Sequence, residues 1–238
     1  MTPMLTKLPQ RARRLVLWVS AIASIVLASA LFQWRGDDAL KLTIWIALAA
    51  VAGTAKVRFP GVETSYSFGY IVVLAAMGML SFPEAVLVSL VTALVQCYWR
   101  ASKRPSMVQV LFNLFNYAIS GAVSWQAFHG LAQIAPDLSM PARFAFGSGI
   151  FFLLNTGLVS WILALLTGRK FIEVWENSHL LIFPYCVLGS ACAAVLTQHN
   201  GAAAWLLLAL LPLLGILYGS MRIWARRASA SAGVEKPA

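Results

Sequence analysis

The residues best suited to chemistry in this chain carry no charge. Gln109, Asn113, Asn116, Ser120 and Ser124 follow one another at steps of four, three, four and four. At about 100° per residue in a helix they stay within one narrow stripe. The next apolar run adds Gly149, Asn155, Thr156 and Ser160, and Ser65, Tyr66 and Ser67 open an earlier one. Amides and hydroxyls both donate and accept hydrogen bonds. In lipid such groups turn inward, towards other helices or a water-filled cavity. Two readings follow: the stripe ties the helices together, or it lines a ligand pocket capped by Ser65, Tyr66 and Ser67.

Catalysis finds no comparable support. It needs a nucleophile, an acid/base pair or a metal-holding acidic cluster within mutual reach. The acidic pair Asp37-Asp38 has no second acidic motif to complete a magnesium-diphosphate site, and Glu63 and Glu84 fall at opposite membrane faces in the topology derived below. No GxSxG, HExxH, Walker A or Rossmann glycine run occurs. Cys97, Cys186 and Cys192 lie inside apolar runs without a CxxC, and His129, His179 and His199 are far apart. The chain therefore reads as non-enzymatic, with no metal, cofactor or disulfide framework expected.

The elements that position the polar stripe follow from composition. Of 238 residues, 60% are hydrophobic and 11% charged, and the mean hydropathy is +0.78. A soluble domain cannot bury so much apolar surface and still cover itself with polar groups. An integral membrane protein can. A helix needs roughly 20 apolar residues to cross the hydrocarbon, with about 17 as the short limit. Eight stretches qualify: Leu15–Gln33, Ala39–Ala55, Ser65–Phe82, Pro83–Trp99, Met107–Phe128, Ala142–Thr167, Leu180–Thr197 and Ala202–Met221. The third and fourth form a hairpin turning at Ser81-Phe82-Pro83-Glu84, where Pro83 fits the first helical turn and Glu84 suits the positive end of the helix dipole.

The net charge of +10 tests this count. With the amino terminus inside, Arg35, Lys41 and Arg143 are the only bases outside; the other 15 of the 18 face the cytoplasm. A miscounted span would invert every later loop and scramble this asymmetry. Bases clustered at loop ends also argue against a nucleic-acid partner, which needs cations and aromatics interleaved on one face. The expected architecture is an all-α, polytopic bundle of eight spans with both termini cytoplasmic. It divides into a basic segment 1–14, a transmembrane domain 15–224 and a disordered tail 225–238.

No charged residue lies in the middle of a span, which disfavours an ion-coupled pump. In residues 171–179, Phe171, Val174 and Trp175 share one helical face, which suits either a helix lying in the membrane interface or an ordinary lead-in to the next span. Gly215 and Gly219 form a GxxxG in the last span, and Gly189 and Ala193 a small-xxx-small pair in the seventh; both allow close helix approach. Trp34, Trp99, Trp175 and Trp224 stand at span ends, as an interfacial aromatic belt does.

From Glu63-Thr-Ser-Tyr-Ser-Phe-Gly-Tyr, through Arg104-Pro105, Leu111-Phe112-Asn113 and Asn116-Tyr117-Ala118-Ile119-Ser120, the pattern becomes specific. It continues through Leu154-Asn155-Thr156-Gly157-Leu158-Val159, Gly168 and Glu173-Val174-Trp175 to Leu211-Pro212-Leu213-Leu214. Over residues 56–224 the chain resembles the multi-span membrane region that precedes HD-GYP phosphodiesterase or GGDEF diguanylate cyclase domains in bacterial signalling proteins. More weakly, through its Phe-Asn helix, it resembles the solute-binding S components of energy-coupling-factor transporters. The first resemblance implies a sensor-like module of the bacterial inner membrane. The resemblance covers the membrane region alone, so it carries over no catalytic residue of the cyclase or phosphodiesterase.

The expectation is thus a non-catalytic, multi-pass sensor or ligand-binding module in the lipid bilayer, its output supplied by a separate signalling protein. Its site is expected at Asn113, Asn116, Ser120, Asn155 and Thr156, beneath Ser65, Tyr66 and Ser67. The alternatives are a transporter subunit working with a coupling subunit, or a structural subunit of a membrane complex.

Overall fold

The computed structural model describes residues 8–36, 38–58, 65–99, 101, 104–179 and 183–198. The eighth expected span, with Gly215 and Gly219, and the tail 225–238 lie outside the described residues. In chain order come α1 (Gln10–Phe32), α2 (Ala39–Thr54), β1 (Lys56–Arg58), β2 (Ser65–Ser67), α3 (Gly69–Met79) and α4 (Phe82–Tyr98). They are followed by α5 (Met107–Ile134), α6 (Met140–Thr167), α7 (Phe171–His179) and α8 (Phe183–Gln198). The fold is all-α apart from the small antiparallel ribbon, in which Lys56 stands opposite Ser67 and Arg58 opposite Ser65.

Three helices, α1, α5 and α6, are long and apolar enough to cross a membrane; α2, α3 and α4 are shorter and apolar. Large apolar side chains stand exposed on the outward faces of α1 and α6, among them Trp18, Ile25, Leu153 and Trp161. Such a surface belongs against lipid.

Local sequence explains several helix ends. Asp38 caps α2 by accepting from the Lys41 backbone amide at 2.9 Å. At the α3–α4 turn the Glu84 carboxylate accepts from Ser81 N at 2.9 Å and Ser81 Oγ at 2.6 Å, starting α4 with Pro83 in its first turn. Gln109 plays the corresponding part for α5, accepting from Ser106 N at 2.8 Å. Its amide serves the helix start rather than the stripe below it. Gly168, at φ 71°, closes α6 in the left-handed conformation that glycine adopts without a Cβ clash.

The third expected span differs from the observed element. Ser65–Ser67 is strand, and the helix that follows has 11 residues. At 1.5 Å per residue it is about 16 Å long, half a hydrocarbon thickness. Its residues Gly69–Met77 are buried on every side. An all-round apolar helix is what a buried core element requires, and composition alone does not distinguish it from a span. α3 packs against α2, α4, α5 and α8, while α5 lies between α4 and α6. The main core gathers around α3, with Ile71, Leu74, Phe144 and Phe151 fully or almost fully buried.

Candidate functional site: the polar junctions of α5

The stripe on α5 reaches two different neighbours. On one side Asn116, 1% exposed, donates from Nδ2 to Asn155 Oδ1 at 2.6 Å and to the Asn155 backbone carbonyl at 3.1 Å. Its Oδ1 accepts from Ser120 Oγ at 3.3 Å. One side chain thereby uses both amide functions across the α5–α6 contact. Leaving such a buried group unpaired costs about 1–3 kcal/mol, so any other setting of the two helices must give each of these groups a new partner.

On the other side the stripe meets α4. Tyr117 Oη donates to Gln96 Oε1 at 2.9 Å, and Gln96 Nε2 donates to Ser67 Oγ at the end of the ribbon. Asn113 Nδ2 lies 3.5 Å from Cys97 Sγ, in hydrogen-bond range for sulfur. Phe151 separates the two junctions, edge-on to both Tyr70 and Tyr117 at 5.2 and 5.6 Å. The Tyr70 hydroxyl donates to the Ser148 carbonyl at 3.3 Å.

Thr156, one residue beyond Asn155, faces a third partner. The Trp175 indole N–H of α7 donates to Thr156 Oγ1 at 3.0 Å, and that hydroxyl donates to the Phe152 carbonyl at 2.6 Å. One turn further, Ser160 is fully buried, and its hydroxyl has no hydrogen-bond partner; the same is true of Ser124 on α5.

The structure therefore brings Asn116, Ser120 and Asn155 together and sets Thr156 beside them on the α7 side. It places Asn113 and Ser67 at the α4 junction instead. Ser65 and Tyr66 occupy ribbon positions opposite Arg58 and Val57. Gly189 on α8 abuts α3, where an added Cβ would stand 3.1 Å from Ile71 Cγ1. Sequence reasoning missed Gln96 and Tyr117, although both are polar groups within apolar runs and Tyr117 follows Asn113 at helical spacing. It read Trp175 as a belt residue, since nothing local indicates that an indole N–H will turn inward.

Sequence reasoning also missed the group that holds the far end of α3. The last carbonyls of a helix have no partner within it. Here Lys41 Nζ donates to Met79 O at 2.7 Å, Trp125 Nε1 donates to Leu80 O at 3.0 Å, and His129 Nε2 lies 3.0 Å from Met77 O. An ammonium also suits the negative end of the helix dipole. Among the described residues no group of three or more His, Cys, Asp or Glu could hold a metal ion. The chemistry of the site is hydrogen bonding between uncharged groups.

A family model, MASE9, matches residues 39–223, a range that contains all three junctions. No curated protein and no solved structure matches the chain.

Proposed function

The chain belongs to the MASE9 family of membrane-associated sensors, and from that premise we propose that it senses through the α5–α6 amide junction. A small polar ligand competing for Asn116 and Asn155 would exchange their mutual hydrogen bonds for bonds to itself, freeing α6 to rotate against α5. The observation that carries this reading is the burial of Asn116, whose amide functions all engage Asn155 and Ser120. Equal exchange of hydrogen bonds makes such a junction cheap to rearrange and costly to leave half-satisfied.

In this reading the protein is a non-catalytic module with eight spans and both termini cytoplasmic, in the inner membrane of a bacterium. The asymmetry of its basic residues supports that topology. A signalling output of cyclase or phosphodiesterase type receives the change in helix packing, as the resemblance to regions ahead of such domains suggests.

A thermal-shift screen of small polar solutes on the purified protein, run beside the Asn116→Leu, Asn155→Leu double variant, tests the site. A solute that raises the melting temperature of the unsubstituted chain should lose its effect on the double variant, with membrane insertion unchanged. A shift of equal size in both places the ligand elsewhere. Co-purification addresses the partner: a soluble cyclase, phosphodiesterase or kinase supports sensing, whereas an ATPase or transmembrane coupling subunit would replace this reading with solute transport.

A further inference from the structure

Helix α7 is short and two-faced. Val174 is 4% exposed and, with Trp175, meets the body of the protein, while Phe171 and Ile172 are 43% and 52% exposed. At 100° per residue Phe171 and Ile172 lie about 40° and 60° to either side of Trp175, Glu173 lies about 160° away on the opposite face, and Glu176 stands beside Ile172. The Arg169–Glu173 ion pair, 3.0 Å long, closes the polar side at the amino end.

One environment suits an apolar edge, a carboxylate face and a basic entry together: the boundary between acyl chains and headgroups. The surroundings fit. The final turns of α6 also expose Trp161 and Leu166, so apolar side chains reach the surface on both helices of the α6–α7 corner. Arg169 and Lys170 lie between α6 and α7, where cations can meet lipid phosphates.

The inner face of α7 leads to the sensing junction. Trp175 donates to Thr156, packs edge-on to Phe152 at 6.1 Å, and so grips one turn of α6 at both ends. Asn155, the partner of Asn116, belongs to that same turn. If α7 lifts or tilts, Trp175 leaves a buried hydroxyl and the turn that presents Asn155 loses its outer support.

We propose that α7 docks on the lipid surface through Phe171 and Ile172, and that Trp175 and Thr156 relay its depth to the Asn116–Asn155 junction. The stimulus would then include the state of the bilayer surface. The docking stands on α7 alone; the relay rests on the junction reading of the preceding section.

The test uses the full chain in vesicles of phosphatidylethanolamine and phosphatidylglycerol, with Cys97, Cys186 and Cys192 replaced by Ala. Nitroxide labels are placed at Phe171→Cys and, separately, at Glu173→Cys, which lie about 160° apart around the helix. Docking requires the first label to be relaxed more by oxygen than by a water-soluble nickel chelate, and the second the reverse. Equal accessibility at the two positions overturns it.

For the relay, hydrogen exchange is followed in peptides covering 116–120 and 152–156. Trp175→Phe keeps a ring but removes the N–H, and should speed exchange there about fivefold, the factor corresponding to one ordinary hydrogen bond. Thr156→Val, which removes the acceptor at nearly constant shape, should match it. Acceleration in Asn116→Leu without acceleration in either of these variants overturns the relay and leaves the junction reading standing. No acceleration in any of the three overturns the junction reading and the relay with it, while the spin labels still decide docking.

Discussion

The core around α3 and the contact between α5 and α6 solve the same packing problem in opposite ways. α3 is apolar on all sides and comes closest to its neighbours at its glycines. A Cβ at Gly69 would collide with Thr92 Cγ2, and one at Gly78 would lie 2.6 Å from Phe144 Cζ. The α5–α6 contact instead places two amides and a hydroxyl in mutual hydrogen bonds. Close apolar packing admits one arrangement, because every displacement opens a void or a clash. A hydrogen-bonded junction admits others, provided each donor finds a new acceptor. Under the proposed sensing mechanism, this contrast makes α3 the fixed part of the molecule and the α5–α6 contact the adjustable one.

The strongest way to break this contrast is to overfill the fixed part. Gly69→Ala should destabilise the protein by about 1–3 kcal/mol, read as a lower melting temperature in detergent. Thr92→Ser, which removes the opposing methyl, should restore much of the loss; no rescue would show that the close approach is not the cause. At the adjustable part, Asn116→Leu alone should cost roughly 1–3 kcal/mol because it strands Asn155, while the Asn116→Leu, Asn155→Leu pair should fall near the unsubstituted protein. Additive losses in that double-mutant cycle would mean that the two amides act independently.

The end of α3 provides a finer comparison. Lys41→Met removes the ammonium from the Met79 carbonyl but keeps the aliphatic stem, and should cost about 1 kcal/mol. The same substitution at Lys170, which precedes the amino end of α7 rather than standing at a helix carboxyl end, is the control for lost charge. Smallest of all, Arg169→Ala breaks an exposed ion pair, for which about 0–1 kcal/mol is expected, with the loss shrinking further in high salt. A larger effect would mean that the residue contributes to α7 by more than that pair.

Particular residues show where sequence reasoning reached and where it stopped. The turn at Ser81-Phe82-Pro83-Glu84 was readable because a capping box and an N-terminal proline act over four residues. Residues 171–179 were readable as a helix because their apolar positions recur at helical spacing, and α7 spans Phe171–His179. The shortness of α3 was not readable. An unbroken apolar run is compatible with a span and with a buried half-length helix, and only the neighbours that satisfy its end carbonyls distinguish them.

Composition by itself determined that this chain belongs in a membrane, since transfer of apolar surface from water is nearly additive over residues. Periodicity determined that Asn113, Asn116 and Ser120 share one stripe of α5, since helix geometry is local. Tertiary structure alone decided that Asn113 turns to Cys97 on α4 while Asn116 turns to Asn155 on α6. It likewise decided that Trp175 points its N–H inward to Thr156. A hydrogen bond depends on angles and distances of a few tenths of an ångström between segments 16 to 39 residues apart. Those distances follow from how whole helices rotate and cross, and no local stretch of sequence specifies that.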